Sequence, residues 1–142
     1  MIRPARDLDA GALGAILSEF VQTTDWMPRL DSRAEDISFA AKLIAGNSVF
    51  VWEADRPLGF IALHQNSIDA LYIRNDHHGQ GYGSALIQYA QSIRGDLELW
   101  TFQQNTLARR FYAKHGFSEV KFTDGLVNDE GLPDVYLTWR AH

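Results

Sequence analysis

The stretch His77-His78-Gly79-Gln80-Gly81-Tyr82-Gly83-Ser84 sets three glycines at alternate positions just before a helically periodic run, Leu86, Ile87, Ala90 and Ile93. A helix start carries about four unpaired backbone amides and roughly half a positive charge, and glycines let a guest approach that backbone closely. An anion suits such a turn, and phosphate is the natural one. The same glycines would also serve a plain turn that needs positive φ, so the pattern alone leaves both readings open.

Two phosphate motifs can be set aside. A P-loop ends in Gly-Lys-Ser/Thr, which does not occur in this chain. Gly79-Gln80-Gly81-Tyr82-Gly83-Ser84 comes close to the dinucleotide fingerprint, but Arg74 to His78 separate it from the strand-like run ending at Ile73, whereas a dinucleotide fold turns straight out of its strand. His77 and His78 are adjacent and lack a ligand at helical spacing, so no metal site is expected. The 142 residues carry a net charge of −5 without a basic run, which argues against nucleic acid. There is no cysteine, which excludes disulfides, thiolate metal sites and a catalytic thiol, and is compatible with a cytoplasmic location. Arg3, Arg6, Asp7 and Asp9 break up the N-terminal apolar positions, so neither a signal peptide nor a membrane span is expected.

The elements that must position the turn follow from periodicity. Ile2 to Ala5 reads as a short edge strand. Leu13, Ile16, Leu17, Phe20 and Val21 mark a first helix with Asp7 as its cap. Ser32-Arg33-Ala34-Glu35 has capping-box form and opens a second helix, with Gly46 near its end. The runs SVFVWEA, LGFIALHQ and SIDALYI predict three antiparallel strands in succession. The glycine turn, a helix stopping near Gly95 and the strand DLELWTF then form a β-turn-α-β unit with parallel strands. Asn105 caps a fourth helix bearing Leu107, Ala108, Phe111 and Tyr112, and FSEVKF and VYLTW close the chain as a hairpin around the loop 124–133. Trp52, Trp100 and Trp139 are read as mainly core. One domain over residues 1–142 is expected.

In that frame His78-Gly79-Gln80-Gly81-Tyr82-Gly83 resembles the pyrophosphate loop of the GNAT superfamily of N-acetyltransferases, written Q/R-x-x-G-x-G/A. Asn105 to Phe117 resembles its second signature, N-x-x-A-x-x-x-Y followed by Gly-Phe. The resemblance implies an α/β (α+β mixed sheet) fold: a mostly antiparallel sheet of about six or seven strands with one parallel pair, flanked by about four helices. It also implies acetyl-CoA as co-substrate and direct transfer to a primary amine of a small molecule or peptide. Backbone groups of Leu71, Tyr72 and Ile73 would pair with the pantetheine arm, and amides of Gly79, Gln80, Gly81, Tyr82, Gly83 and Ser84 would hold the diphosphate. His78 stands where the family has Gln or Arg; its amide can face the phosphate, but a neutral imidazole gives less charge support than guanidinium.

Tyr112 falls on the family's tyrosine and would protonate the departing thiolate; packing on its helix is the other reading. Asn105 can cap its helix and also contact the coenzyme. For the base the resemblance points to Asp69, with Glu98 and His64 behind it and a water chain as the alternative. Trp26-Met27-Pro28 would line the acceptor side or pack in the core, and Asn128 to Gly131 would form a solvated turn or attract a cationic amine. The acceptor's identity is not legible, and a homodimer is compatible with the resemblance. A non-catalytic acyl-CoA-binding module and a nucleotide-binding protein are the competing functions.

Overall fold

The computed structural model describes residues 1–141. Seven strands are formed: β1 (Ile2–Pro4), β2 (Ser48–Glu53), β3 (Pro57–His64), β4 (Ser67–Ile73), β5 (Asp96–Phe102), β6 (Ser118–Thr123) and β7 (Asp134–Arg140). Four α-helices accompany them: α1 (Ala10–Thr23), α2 (Arg33–Gly46), α3 (Tyr82–Ile93) and α4 (Thr106–Lys114). The strands make one sheet in the order β1-β2-β3-β4-β5-β7-β6. Only β4 and β5 are parallel, because α3 carries the chain back to the starting edge between them. The fold class, the parallel pair and the four helices agree with the sequence reading.

The helices cover the sheet unequally. Leu13, Ile16, Ala40 and Leu43 of α1 and α2 pack against Val49, Val51, Phe60, Ala62 and Ala70. On the opposite face, Leu86, Ile87, Ala90 and Tyr112 of α3 and α4 pack against Ile61, Leu63, Leu97, Leu99, Val135 and Leu137. Helices therefore cover both faces of β3, which explains why six of its eight residues are buried in a continuous apolar run. The β5–β7–β6 half has helical cover on one face only. Trp100 lies on the bare face, 49% exposed and tilted against Tyr136 at 5.1 Å, which corrects the expectation of a core tryptophan. Trp52 and Trp139 do pack against the core.

Local signals account for most boundaries. Ser32 accepts from the Glu35 amide at 3.2 Å and Glu35 accepts from the Ser32 amide at 3.0 Å, completing the capping box of α2. Gly116, at φ 90°, ends α4 so that the Phe117 amide donates to the Tyr112 carbonyl at 3.0 Å. The first helix departs from expectation. A 3-10 turn over Asp7–Asp9 precedes α1, and the structural carboxylate is Asp9, which accepts from the Arg6 amide at 2.7 Å and from Arg3 at 2.8 and 2.9 Å. Arg3 also bonds Glu53 on β2, tying the N-terminal strand, the turn and the sheet together. Among the described residues no helix is long and apolar enough to cross a membrane.

Candidate active site

The glycine turn is shaped as an anion cradle. Gly79 and Gly81 hold φ of 80° and 86°, and Gly81 is the left-handed residue that starts α3. Only glycine adopts that geometry without strain. A Cβ added at either would meet no atom within 4 Å, so open space lies over the backbone there. The amides of residues 79–84 donate no hydrogen bond to any described residue, and the first amide past the turn with a partner is Ala85, bonded to Gly81 O at 3.0 Å. Six adjacent free donors at a helix N-terminus, bordered by empty space, fit a diphosphate. The Tyr82 ring is turned away to stack on Trp52 at 5.2 Å, and Gly83 admits the Phe111 ring, which a Cβ would meet at 3.4 Å.

Beside the turn the sheet comes apart. β4 and β5 share a single paired position, Ser67↔Glu98, and diverge beyond it. The Arg74 amide donates to Leu58 O at 2.8 Å, so strand alternation turns the backbone groups of Tyr72 toward β3 and those of Leu71 and Ile73 toward the gap. Nε2 of His78 lies 2.9 Å from the Ile73 carbonyl and must carry its proton there. The imidazole at the family's Gln/Arg position is thus tied back to the strand end. The Leu71 amide and carbonyl and the Ile73 amide remain as an unpaired strand edge.

Tyr112, buried on α4, contacts Phe111 and Phe117 at ring separations of 5.3 and 5.4 Å and makes no hydrogen bond through its hydroxyl to a described residue. Burial raises its phenol far above the ordinary value, and the Tyr72 phenol adds to the lift. Tyr112 belongs to the core on the α3–α4 face of the sheet, whereas Tyr72 packs with Phe20 and Phe60 on the α1 side. Tyr72 is itself raised, by burial first and by the charge of Glu130 second. The Trp26 ring lies 6.5 Å from Phe20 and 5.7 Å from Phe102, and Phe20 lies 5.1 Å from Tyr72.

The remaining residues divide. Asn105 caps α4 by accepting from the Ala108 amide at 3.1 Å, which leaves its amide nitrogen free. Asp69 is the extra residue of a bulge, since Ala62 pairs with Ala70 and Leu63 with Ile68. It is exposed and accepts from Asn47 and Ser67, both at 2.9 Å, near the closed end of the gap and away from the Leu71–Ile73 edge. Glu98, also exposed, is engaged by the Tyr136 hydroxyl, and His64 is exposed at the end of β3. Sequence reasoning missed His115. Its Nε2 lies 3.0 Å from Ser84 Oγ in the first turn of α3, and burial, then the Lys114 charge, lowers its pKa. The histidine that follows Lys114 in the α4 signature was its only sequence signal.

Known proteins share both the sequence pattern and the fold. The sequence model of the Acetyltransferase (GNAT) domain matches residues 45–119, just over half of the chain. The peptidyl-lysine N-acetyltransferase YjaB of Salmonella typhimurium is 38% identical over 85 residues, which span 60% of this chain and 57% of that relative. The peptidyl-lysine N-acetyltransferase YiaC of Escherichia coli is 28% identical over 141 residues, 94% of each. The solution structure of apo-form YjaB from Escherichia coli superposes with a TM-score of 0.80 at 28% identity, covering 100% of this chain and 98% of that one.

Proposed function

The chain belongs to the GNAT acetyltransferase family, and from that premise we propose that it transfers the acetyl group of acetyl-CoA to the side-chain amine of a lysine in a protein or peptide. The observation that carries the reading is the row of six unbonded amides over residues 79–84, opening beside a strand gap. The lysine acceptor rests on the names of YjaB and YiaC.

Acetyl-CoA supplies an acetyl group already activated as a thioester. The chain supplies position and proton control. The amides of Gly79 to Ser84 hold the diphosphate, and His78, locked onto Ile73, fixes the turn against the strand. The free edge of Leu71 and Ile73 receives the pantetheine amides as an added strand, with the Asn105 amide nitrogen available alongside. A lysine amine has a pKa near ~10.4 and a thiol near ~8.5, so one proton must leave the amine and another must reach sulfur. Tyr112 is the donor to sulfur: burial keeps its phenol protonated throughout the working range. The amine proton leaves to water at the open end of the gap, since Asp69 lies exposed near the closed end.

The test is release of free thiol from acetyl-CoA in the presence of a lysine peptide, compared between wild type and Tyr112→Phe. Turnover that falls at least ~100-fold with unchanged coenzyme affinity supports the reading. Coenzyme binding without acetylation of any lysine peptide would leave an acyl-CoA-binding module and remove the transferase.

A further inference from the structure

At the open end of the gap, four aromatic side chains form an arc from one diverging strand to the other. Tyr72 of β4 meets Phe20 of α1, Phe20 meets Trp26, and Trp26 meets Phe102 at the end of β5. The loop 124–133 is fixed beside that end. Gln103, the residue after Phe102, donates through Nε2 to Thr123 O at 2.9 Å and to Asp134 O at 3.0 Å, at the two bases of the loop. Inside the loop Asn128 donates to Leu132 O at 2.7 Å and accepts from the Leu132 amide at 3.2 Å. Gly125 presses so closely on Leu132 that an added Cβ would collide with its carbonyl group. A loop pinned in this way presents its side chains in one arrangement.

Within the pinned turn Asp129 and Gly131 are exposed, while Glu130 between them is partly buried. Its carboxylate has no hydrogen bond or salt bridge with any described residue, in contrast to half-buried Glu53 and exposed Glu119, which are each paired with an arginine. The turn that carries Glu130 is held beside Phe102 by Gln103, and its charge adds, after burial, to the rise of the Tyr72 phenol. A half-buried carboxylate with no cation of its own is open to a cationic guest, and aromatic ring faces attract the same kind of guest.

We propose that Glu130 and the arc of Tyr72, Phe20, Trp26 and Phe102 form a cation-selecting subsite that captures the ammonium of the acceptor before transfer. Glu130 is a specificity-determining residue: it governs which amine is held, and Tyr112 governs turnover. The inference rests on the N-acetyltransferase reading for its substrate class, but its test does not depend on turnover.

A lysine-containing peptide and the same peptide with norleucine in place of lysine are titrated calorimetrically into the CoA-saturated protein. Wild type binds the lysine peptide more tightly than the norleucine peptide, with an affinity that falls as salt rises. Glu130→Gln weakens lysine-peptide binding roughly tenfold, leaves norleucine-peptide and CoA binding unchanged, and removes the salt dependence. Asp129→Asn, in the same turn, retains wild-type affinity. Equal lysine-peptide affinity in wild type and Glu130→Gln, an equal loss in Asp129→Asn, or no preference for lysine over norleucine in wild type overturns the proposal. Absence of thiol release from acetyl-CoA with every amine tested refutes the transferase reading separately, and leaves the binding comparison readable.

Discussion

Replacing Gly81 by alanine separates the fold from the anion site. Gly81 holds φ 86° at the start of α3, and a Cβ there meets no atom within 4 Å. The structural cost is therefore conformational: about 1–2 kcal/mol for an L-residue in the left-handed region, partly offset by roughly 0.4–1 kcal/mol from a less flexible unfolded chain. For a chain of this size a net loss near ~1 kcal/mol lowers the melting temperature by about 2–4 °C. Ligand affinity should change far more. The new methyl projects into the open space over the amides, and losing one charge-assisted hydrogen bond of about 1.5–3 kcal/mol weakens coenzyme binding roughly 10- to 150-fold. Calorimetric titration with CoA and thermal melts of the free protein measure both quantities. Gly11→Ala is the control, because its Cβ also meets nothing within 4 Å and it lies in α1, away from the turn. If Gly81→Ala melts a few degrees lower yet binds CoA within twofold of wild type, the diphosphate does not sit on these amides.

Three further outcomes are expected. Because burial raises the Tyr112 phenol, the acid stays loaded as pH rises, so wild-type turnover has no alkaline fall owing to Tyr112 up to about pH 10; a falling limb below that, absent in Tyr112→Phe, would contradict the assignment. Burial lowers His115, so its neutral form favours the fold; this contribution is complete above its ordinary value and is lost as pH falls through the folded pKa. Melting temperature should therefore drop more in wild type than in His115→Asn between about pH 7.5 and about pH 5. Arg3→Ala removes both of its bonds to the buried Asp9 carboxylate and its bonds to Glu53, and should cost about 2–3 kcal/mol in urea unfolding; a loss within error of zero would show that water takes over the arginine's role.

The β-runs from Ser48 to Ile73 and from Asp96 to Phe102 were legible because β-branched and aromatic side chains crowd between turn residues, and Ser32 and Asn105 were legible as caps because their bonding partners lie three residues away. What escaped was non-local. Strand alternation puts Trp100 on a face but does not say whether a helix lies over it, and α1 and α2 cover β2 to β4 instead. The bulge at Asp69 breaks the period of two, so a face shared by Ser67, Asp69 and Leu71 could not be read from spacing. Asp9 is an ordinary acidic residue until Arg3, on β1, reaches it in its turn. The phosphate turn was legible since its donors are contiguous main-chain groups. Glu130 was noticed only as part of a polar loop, because the aromatic residues proposed to act with it come from elsewhere in the chain.

The lone Ser67↔Glu98 bridge has a mechanical consequence. Backbone bonding divides the molecule into a four-stranded ribbon before α3 and a three-stranded ribbon after it. What couples the two is mainly the oily contact of Leu86, Ile87 and Ala90 with Ile61, Leu97 and Leu137. Amide protons in the two ribbons should exchange as separate cooperative blocks, and trimming Leu86 should uncouple those blocks sooner than it melts either one.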